Sequence, residues 1–211
     1  MRTILRTPGT VATAVIVAAA LLTGCLGRSP STQHYSLQPV QGHTVEGTSH
    51  LALSVGPARL PRYLDRPQMV TREGNEVGID EFNRWAGGLE ANVLRALSAN
   101  LAARLQTERV VTAPMEAPFP IDYQVLVDVD ELVAVDGAEL MLRARWVVKD
   151  SESTSLAVEL LPLDLPIART TVGGRVQAHQ EALGQLADAI AARVALLASQ
   201  ARAEEEANAQ P

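Results

Sequence analysis

Few side chains in this chain have the type and spacing to do chemistry. Asp128 and Asp130 lie two apart in a run that alternates apolar and polar residues. On a strand they share a face, and paired carboxylates there can pass protons to and from a substrate. The facing run supplies Arg143 and Arg145, which neutralise the pair and give it a role without catalysis. The four histidines are His34, His43, His50 and His179, none with a partner at metal-ligand spacing. They read as solvent-exposed side chains, with no metal site among them. There is no G-x-S-x-G, H-E-x-x-H, Walker loop or dinucleotide glycine fingerprint. The sequence offers no catalytic residue, and the chain reads as not an enzyme with no dissociable cofactor.

A different pattern occupies residues 59–72. Pro61 and Pro67 restrict the backbone of a short loop. Arg59, Arg62, Arg66 and Arg72 concentrate positive charge, with Tyr63 and Asp65 among them. Arginine and tyrosine are the side chains enriched where proteins bind one another. Arg59, Arg62, Tyr63, Asp65 and Arg66 are therefore the candidate partner-binding residues. The competing reading is a salt-bridged turn, with Asp65 and Glu73 cancelling part of the charge.

Cys25 is the one cysteine, so it forms no intramolecular disulfide and rules out a cysteine-rich zinc site. Arg2 and Arg6 precede an uncharged run from Val11 to Leu22. That run is shorter than the roughly 20 residues of a permanent membrane span and fits the core of a secretory signal peptide. It ends in Leu22-Thr23-Gly24-Cys25, which resembles the bacterial lipobox. The resemblance implies cleavage before Cys25, diacylglycerol on its thiol and an acyl chain, such as palmitate, on the new amino group. Two or more acyl chains hold a protein stably on a bilayer. Leu26, where an aspartate would favour inner-membrane retention, implies the outer membrane of a diderm bacterium. Residues 25–34 read as the acylated N-terminus and tether. More generously, residues 26–50 supply reach, up to some 80 Å if fully stretched.

The whole chain has 211 residues and a net charge of -6. Without residues 1–24 it has 187 residues and 16 cations against 24 acids, a net charge of -8. That excludes a basic nucleic-acid surface, because phosphate contacts need clustered Lys and Arg. A hydrophobic fraction of 47% supports one packed core. Only seven residues are aromatic, so Trp85 and Trp146 are expected to be structural anchors.

The elements that position these residues follow from periodicity. Tyr35-Ser36-Leu37 reads as a brief strand and 41–50 as loop. Leu51, Leu53 and Val55 alternate as a strand. Gln68–Arg72 and Glu76–Ile79 flank a turn at Gly74-Asn75. From Asp80, a plausible N-cap, Phe82, Trp85, Leu89, Val93, Leu97, Leu101 and Leu105 recur every three or four residues. That predicts an amphipathic helix of about six turns, with Arg84, Asn92, Arg95, Ala99 and Arg104 on the opposite face. Gly87-Gly88 sits awkwardly inside it, at about 1 kcal/mol per glycine. Val110–Thr112 reads as a short strand.

Tyr123–Val135 and Ala138–Lys149 alternate around Asp136-Gly137, a strong hairpin signal. A two-residue loop makes paired numbers sum to 273. Val129 then faces Ala144, Val127 faces Trp146 and Val125 faces Val148. Asp130 meets Arg143 and Asp128 meets Arg145. Glu131 falls opposite Leu142, which calls for a bulge or an early strand end. Ser155–Leu165 and Ile167–Val172 offer further strands about Pro166. Gly173-Gly174 breaks the pattern before a final helix over about Gln177–Ala203. The acidic end, 204–211, reads as a disordered tail. The fold class is α/β (α+β-like): a single compact domain, 35–203, with a mixed β-sheet packed by two main amphipathic helices.

The run Leu60-Pro61-Arg62-Tyr63-Leu64-Asp65-Arg66-Pro67-Gln68-Met69-Val70 resembles the signature of the ABC-type transport auxiliary lipoproteins, the PqiC-like family. The lipobox, Tyr35-Ser36-Leu37, Trp85 with Leu89, Leu97 with Leu101, the Trp146 strand and the alanine-rich last helix occur in the matching order. Segment 151–172 matches least. The resemblance implies a non-catalytic outer-membrane lipoprotein facing the periplasm. Its partners would be a mammalian-cell-entry (MCE) domain protein and the inner-membrane permease of a lipid transport system, with a homo-oligomer left open. The alternatives are a periplasmic lipid-binding lipoprotein with a cavity under the sheet, or a general envelope-assembly lipoprotein.

Overall fold

The computed structural model describes residues 31–209. Cys25, Leu26 and the signal-peptide residues lie outside them. Eight strands and two helices follow in order: β1 (Gln33–Tyr35), β2 (Leu53–Arg59), β3 (Gln68–Glu73), β4 (Glu76–Trp85), α1 (Leu89–Arg104), β5 (Val110–Thr112), β6 (Tyr123–Val135), β7 (Glu139–Lys149), β8 (Ser155–Pro166) and α2 (Val172–Asn208).

The strands make one mixed sheet that forks at β6. One edge of β6 pairs along its length with antiparallel β7, which in turn pairs with β8. The other edge is shared. Residues 123–128 pair with parallel β2, which carries β5. Ala134 and Val135 pair with β3, which carries β4 and then β1. The two helices pack on each other, α1 also against β2 and β5, α2 also against β7 and β8. Between sheet and helices lie Leu53, Val93, Leu97, Val125, Leu142, Trp146, Leu183 and Ile190, all buried. Trp85 is buried in the same core.

The β6–β7 hairpin forms, with Val125, Val127 and Val129 opposite Val148, Trp146 and Ala144. Its loop is one residue longer than expected, because Ala138 joins Asp136 and Gly137, both at positive φ. Near the loop the pairs are therefore Val135–Glu139 and Leu132–Leu142. A bulge at Asp130 restores the expected register beyond it. Glu131, not Asp130, faces Arg143, while Asp128 faces Arg145.

Three expectations about the bounds of elements are corrected. Asp80 does not cap a helix, and Phe82 and Trp85 are not on one. β4 runs on to Trp85, and Asp80 Oδ1 accepts hydrogen bonds from Phe82 N (3.1 Å) and Asn83 N (3.0 Å), turning a bulge within the strand. The helix begins at Leu89, and Gly88 stands at its N-cap with φ 85° and ψ 162°. The end of a strand and the start of a helix happened to continue one apolar spacing. Second, Ile167–Val172 is not a strand. Thr171 Oγ1 accepts a hydrogen bond from Gly174 N (3.1 Å) and caps a helix that begins at Val172, so Gly173-Gly174 lie in its first turn. Third, residues 204–208, expected to be disordered, continue that helix. Strand β2 also runs through Pro57 to Arg59.

Of the residues expected on the polar face of α1, Arg95 is exposed, Arg84 belongs to β4, and Asn92 and Arg104 are buried together with Asn100. Asn92, Asn100 and Arg104 are each at most 1% exposed. Asn92 Oδ1 accepts from Leu37 N (3.1 Å), Asn100 Oδ1 from Val40 N (2.9 Å), and Arg104 O from Val45 N (2.7 Å). The Thr48 hydroxyl lies 2.9 Å from Leu105 O. Residues 37–48 are thus laid along α1 and fixed there, with Leu37 fully buried. The 80 Å reach assigned to 26–50 is wrong for this reason, because most of that stretch belongs to the domain.

Candidate functional site

The loop between β2 and β3 is built on buried apolar anchors. Leu64 is 1% exposed, and Leu60 and Tyr63 pack partly against the core. Pro61 O accepts from Leu64 N (2.9 Å) and Asp65 N (3.0 Å), closing a turn. Leu64 O accepts from Arg66 N (2.8 Å), and Pro67 O from Trp85 N (2.6 Å), which ties the loop's exit to the end of β4. Pro61 and Pro67 need no donors there. The backbone is fixed before any partner arrives.

The side chains then divide. Arg59, Arg62 and Asp65 are exposed. Arg66 is half-buried, and its Nε is enclosed without a hydrogen-bond acceptor among the described residues. Arg72 does not join the basic cluster: Nη1 lies 2.5 Å from Glu131 Oε1, and Nη2 lies 3.3 Å from Met141 Sδ. Tyr63 stands beside that ion pair. Burial raises its phenol above the ordinary value, the Glu131 carboxylate adds to this, and Arg72 partly opposes it. The phenol stays neutral and polar at physiological pH.

Arg59 and Asp65 border different grooves. Arg59 is in register with Asp128 across β2 and β6, and Asp128 with Arg145 across β7. With Pro57, Leu126 and Val147, this cation–anion–cation row lines a groove of about 150 Å³. On the other side Asp65, Glu90, Leu94, Pro114 and Met115 line a groove of about 730 Å³. Met115 is 66% exposed. The facing of Asp128 and Arg145 is legible in the hairpin pattern, but their meeting with Arg59 is not, because the parallel β2–β6 pairing joins residues distant in sequence. Nothing local in the sequence marked Glu90 and Met115 as neighbours of Asp65.

Elsewhere the polar groups are structural. No group of three His, Cys, Asp or Glu among the described residues is placed to hold a metal. His34, His43 and His50 are exposed, but His179 is 4% exposed, a correction to its expected solvation. It is an α2 core residue, its ring edge-on to Trp85 at 5.1 Å between centroids and Nδ1 2.7 Å from Arg175 O. Burial lowers its pKa to about 4.

A forked mixed sheet with one helical layer and a rigid charged loop defines the fold as a mixed α/β domain. The chain belongs to the ABC-type transport auxiliary lipoprotein family, whose model matches residues 35–191. Two solved structures share the fold. One is an uncharacterised protein, 18% identical, covering 78% of this chain and 99% of its own at a TM-score of 0.65. The other is a Xanthomonas campestris protein of the DUF330 family, 14% identical, covering 81% of this chain and 99% of its own at 0.64. No curated protein matches the chain in sequence.

Proposed function

We propose that this chain is the non-catalytic, lipid-anchored subunit that docks a periplasmic MCE-domain assembly at the outer membrane. In this reading, Cys25 carries the lipid, residues 59–66 are the docking element, and the inner-membrane permease drives movement of phospholipid or another hydrophobic molecule. The observation that supports it most is the loop itself: a backbone fixed by Leu64, Pro61 and Pro67 that presents Arg59, Arg62 and Asp65 to solvent. Preorganisation of this kind lowers the entropy cost of binding. A cargo cavity under the sheet has less support, since Leu53, Val125, Leu142 and Leu183 fill that space with no exposed surface.

The test is co-purification of the acylated full-length protein with its MCE partner. Arg59→Glu with Arg62→Glu is expected to remove the partner while lowering the unfolding midpoint only slightly, because both side chains are exposed and residue 59 gains a like-charge neighbour in Asp128. Reversing charge in a complementary interface costs several kcal/mol. Arg169→Glu, on the exposed loop before α2, serves as the control and is expected to retain the partner. Undiminished recovery with the double variant overturns the docking role of this loop.

A further inference from the structure

Three of the exposed large apolar side chains lie on one strand: Val77, Ile79 and Phe82 of β4, at 49%, 45% and 47% exposure. Val77 and Ile79 alternate with Gly78, so they share a face of the sheet. Phe82 lies in the bulge made by Asp80. Such residues at a sheet edge cost solubility unless something covers them.

The course of the chain says what that is. β1 runs parallel to β4, with Gln33 beside Asn83 and Tyr35 beside Trp85. The backbone therefore enters β1 from the side on which Phe82 and the β3–β4 turn lie. Downstream there is no slack, because Leu37, Val40 and Val45 are bonded to α1. Upstream, Cys25 is eight residues from Gln33, a span of at most about 28 Å. A domain of this size is roughly 40 Å across, from a radius of gyration of about 16 Å. An acylated Cys25 therefore holds the β1–β4 edge near the bilayer. The other row of exposed apolar residues, Leu156, Val158 and Leu160 on β8, is four strand spacings from β4, about 19 Å, and one spacing farther from β1, where the chain enters the domain.

We propose that Val77, Ile79 and Phe82 form a second membrane contact, seated in the headgroup layer beside the acylated N-terminus. This rests on acylation of Cys25. The lipid it fits is zwitterionic with an ammonium headgroup. Glu81, beside Phe82, is already paired with Arg84 (3.2 Å), but Glu73 and Glu76 face each other across the turn. These exposed carboxylates meet ammonium groups favourably and are repelled by anionic lipid. The contact orients the domain, with the β3–β4 hairpin toward the bilayer.

Because Cys25 is the chain's one cysteine and its thiol is taken by lipid, Phe82→Cys introduces a single labelling site. The full-length acylated protein, labelled with the environment-sensitive fluorophore NBD at 82 or, separately, through Leu160→Cys, is reconstituted into phosphatidylethanolamine–phosphatidylcholine vesicles. The expected result is a blue-shifted emission and several-fold weaker iodide quenching at 82 than at 160. Replacing phosphatidylcholine with phosphatidylglycerol is expected to reduce that difference. Protein that floats with vesicles but shows equal quenching at both positions overturns the contact and leaves the anchor standing. Protein that fails to float overturns the anchor and the contact with it. A larger difference on phosphatidylglycerol overturns the lipid class.

Discussion

Arg104 of α1 reaches Asp188 of α2, with Nε 2.6 Å from Oδ1. The arginine side chain is 1% exposed and the aspartate 35%. The same guanidinium meets Val40 O, Asn100 Oδ1 and Gly184 O, so one cation joins both helices and the N-terminal segment laid along them. Removing Asp188 strands a buried charge, which costs about 3–5 kcal/mol. Asp188→Ala is therefore expected to lower the urea midpoint strongly, with the slope unchanged. A loss below about 1 kcal/mol would show that water compensates Arg104.

The hold on the N-terminal segment shares Asn100 with this network, because Asn100 Oδ1 also accepts from Arg104 Nη1 (3.1 Å), whereas Asn92 makes no contact with Arg104. Asn100→Ala removes the acceptor for Val40 N, and Asn92→Ala that for Leu37 N. Each buried donor left unpaired costs about 1–3 kcal/mol. Amide exchange at Val40 should quicken in the first variant and at Leu37 in the second, with β6 and β7 unaffected. Uniform acceleration would mean that the segment opens only with the whole domain.

What could be read from sequence was short-range. The β6–β7 pairing was legible because Val125, Val127 and Val129 and their partners satisfy one register on both faces. The helices were legible from their apolar spacing, and the family from residues 60–70. The boundaries were not. Phe82 and Trp85 continued a helical spacing by coincidence, and Gly88 marked a start rather than a flaw. Polar residues that hold another segment look like solvated ones: Asn92, Asn100 and Arg104 follow a four-residue spacing on α1 either way. In the loop, the fate of each arginine depended on partners remote in sequence, Glu131 for Arg72 and Asp128 beside Arg59.

Gly88 gives a test in which the sign decides. Inside a helix, glycine to alanine stabilises by about 1 kcal/mol. At φ 85° and ψ 162° the backbone is in a region that costs a non-glycine residue about 1–3 kcal/mol. No atom outside the local backbone would meet the added Cβ, so conformation alone is at stake. Gly88→Ala is expected to lower the melting temperature. A rise would return this residue to a helix interior.

His179 sets the response to acid. Its ring is enclosed against Trp85, and burial holds its folded pKa at about 4, against 6.5 for the unfolded chain. Between those values the unfolded state binds more protons, so stability falls as pH drops from about 6.5 toward 4. The full effect is about 3 kcal/mol, and it levels off below pH 4, where both states are charged. Asp80 acts in a lower window. Burial pushes its carboxyl up, but hydrogen bonds from Asn83 and Phe82 and the charge of Arg175 bring it below the usual value. Its contribution is present above pH 3.8 and is lost as pH falls through the lower folded pKa. Urea unfolding of His179→Gln from pH 7 to 4 should therefore show a much flatter dependence than the unmodified chain, while the steeper loss below pH 4 persists. An unchanged slope between 6.5 and 4 would assign the acid response to another group.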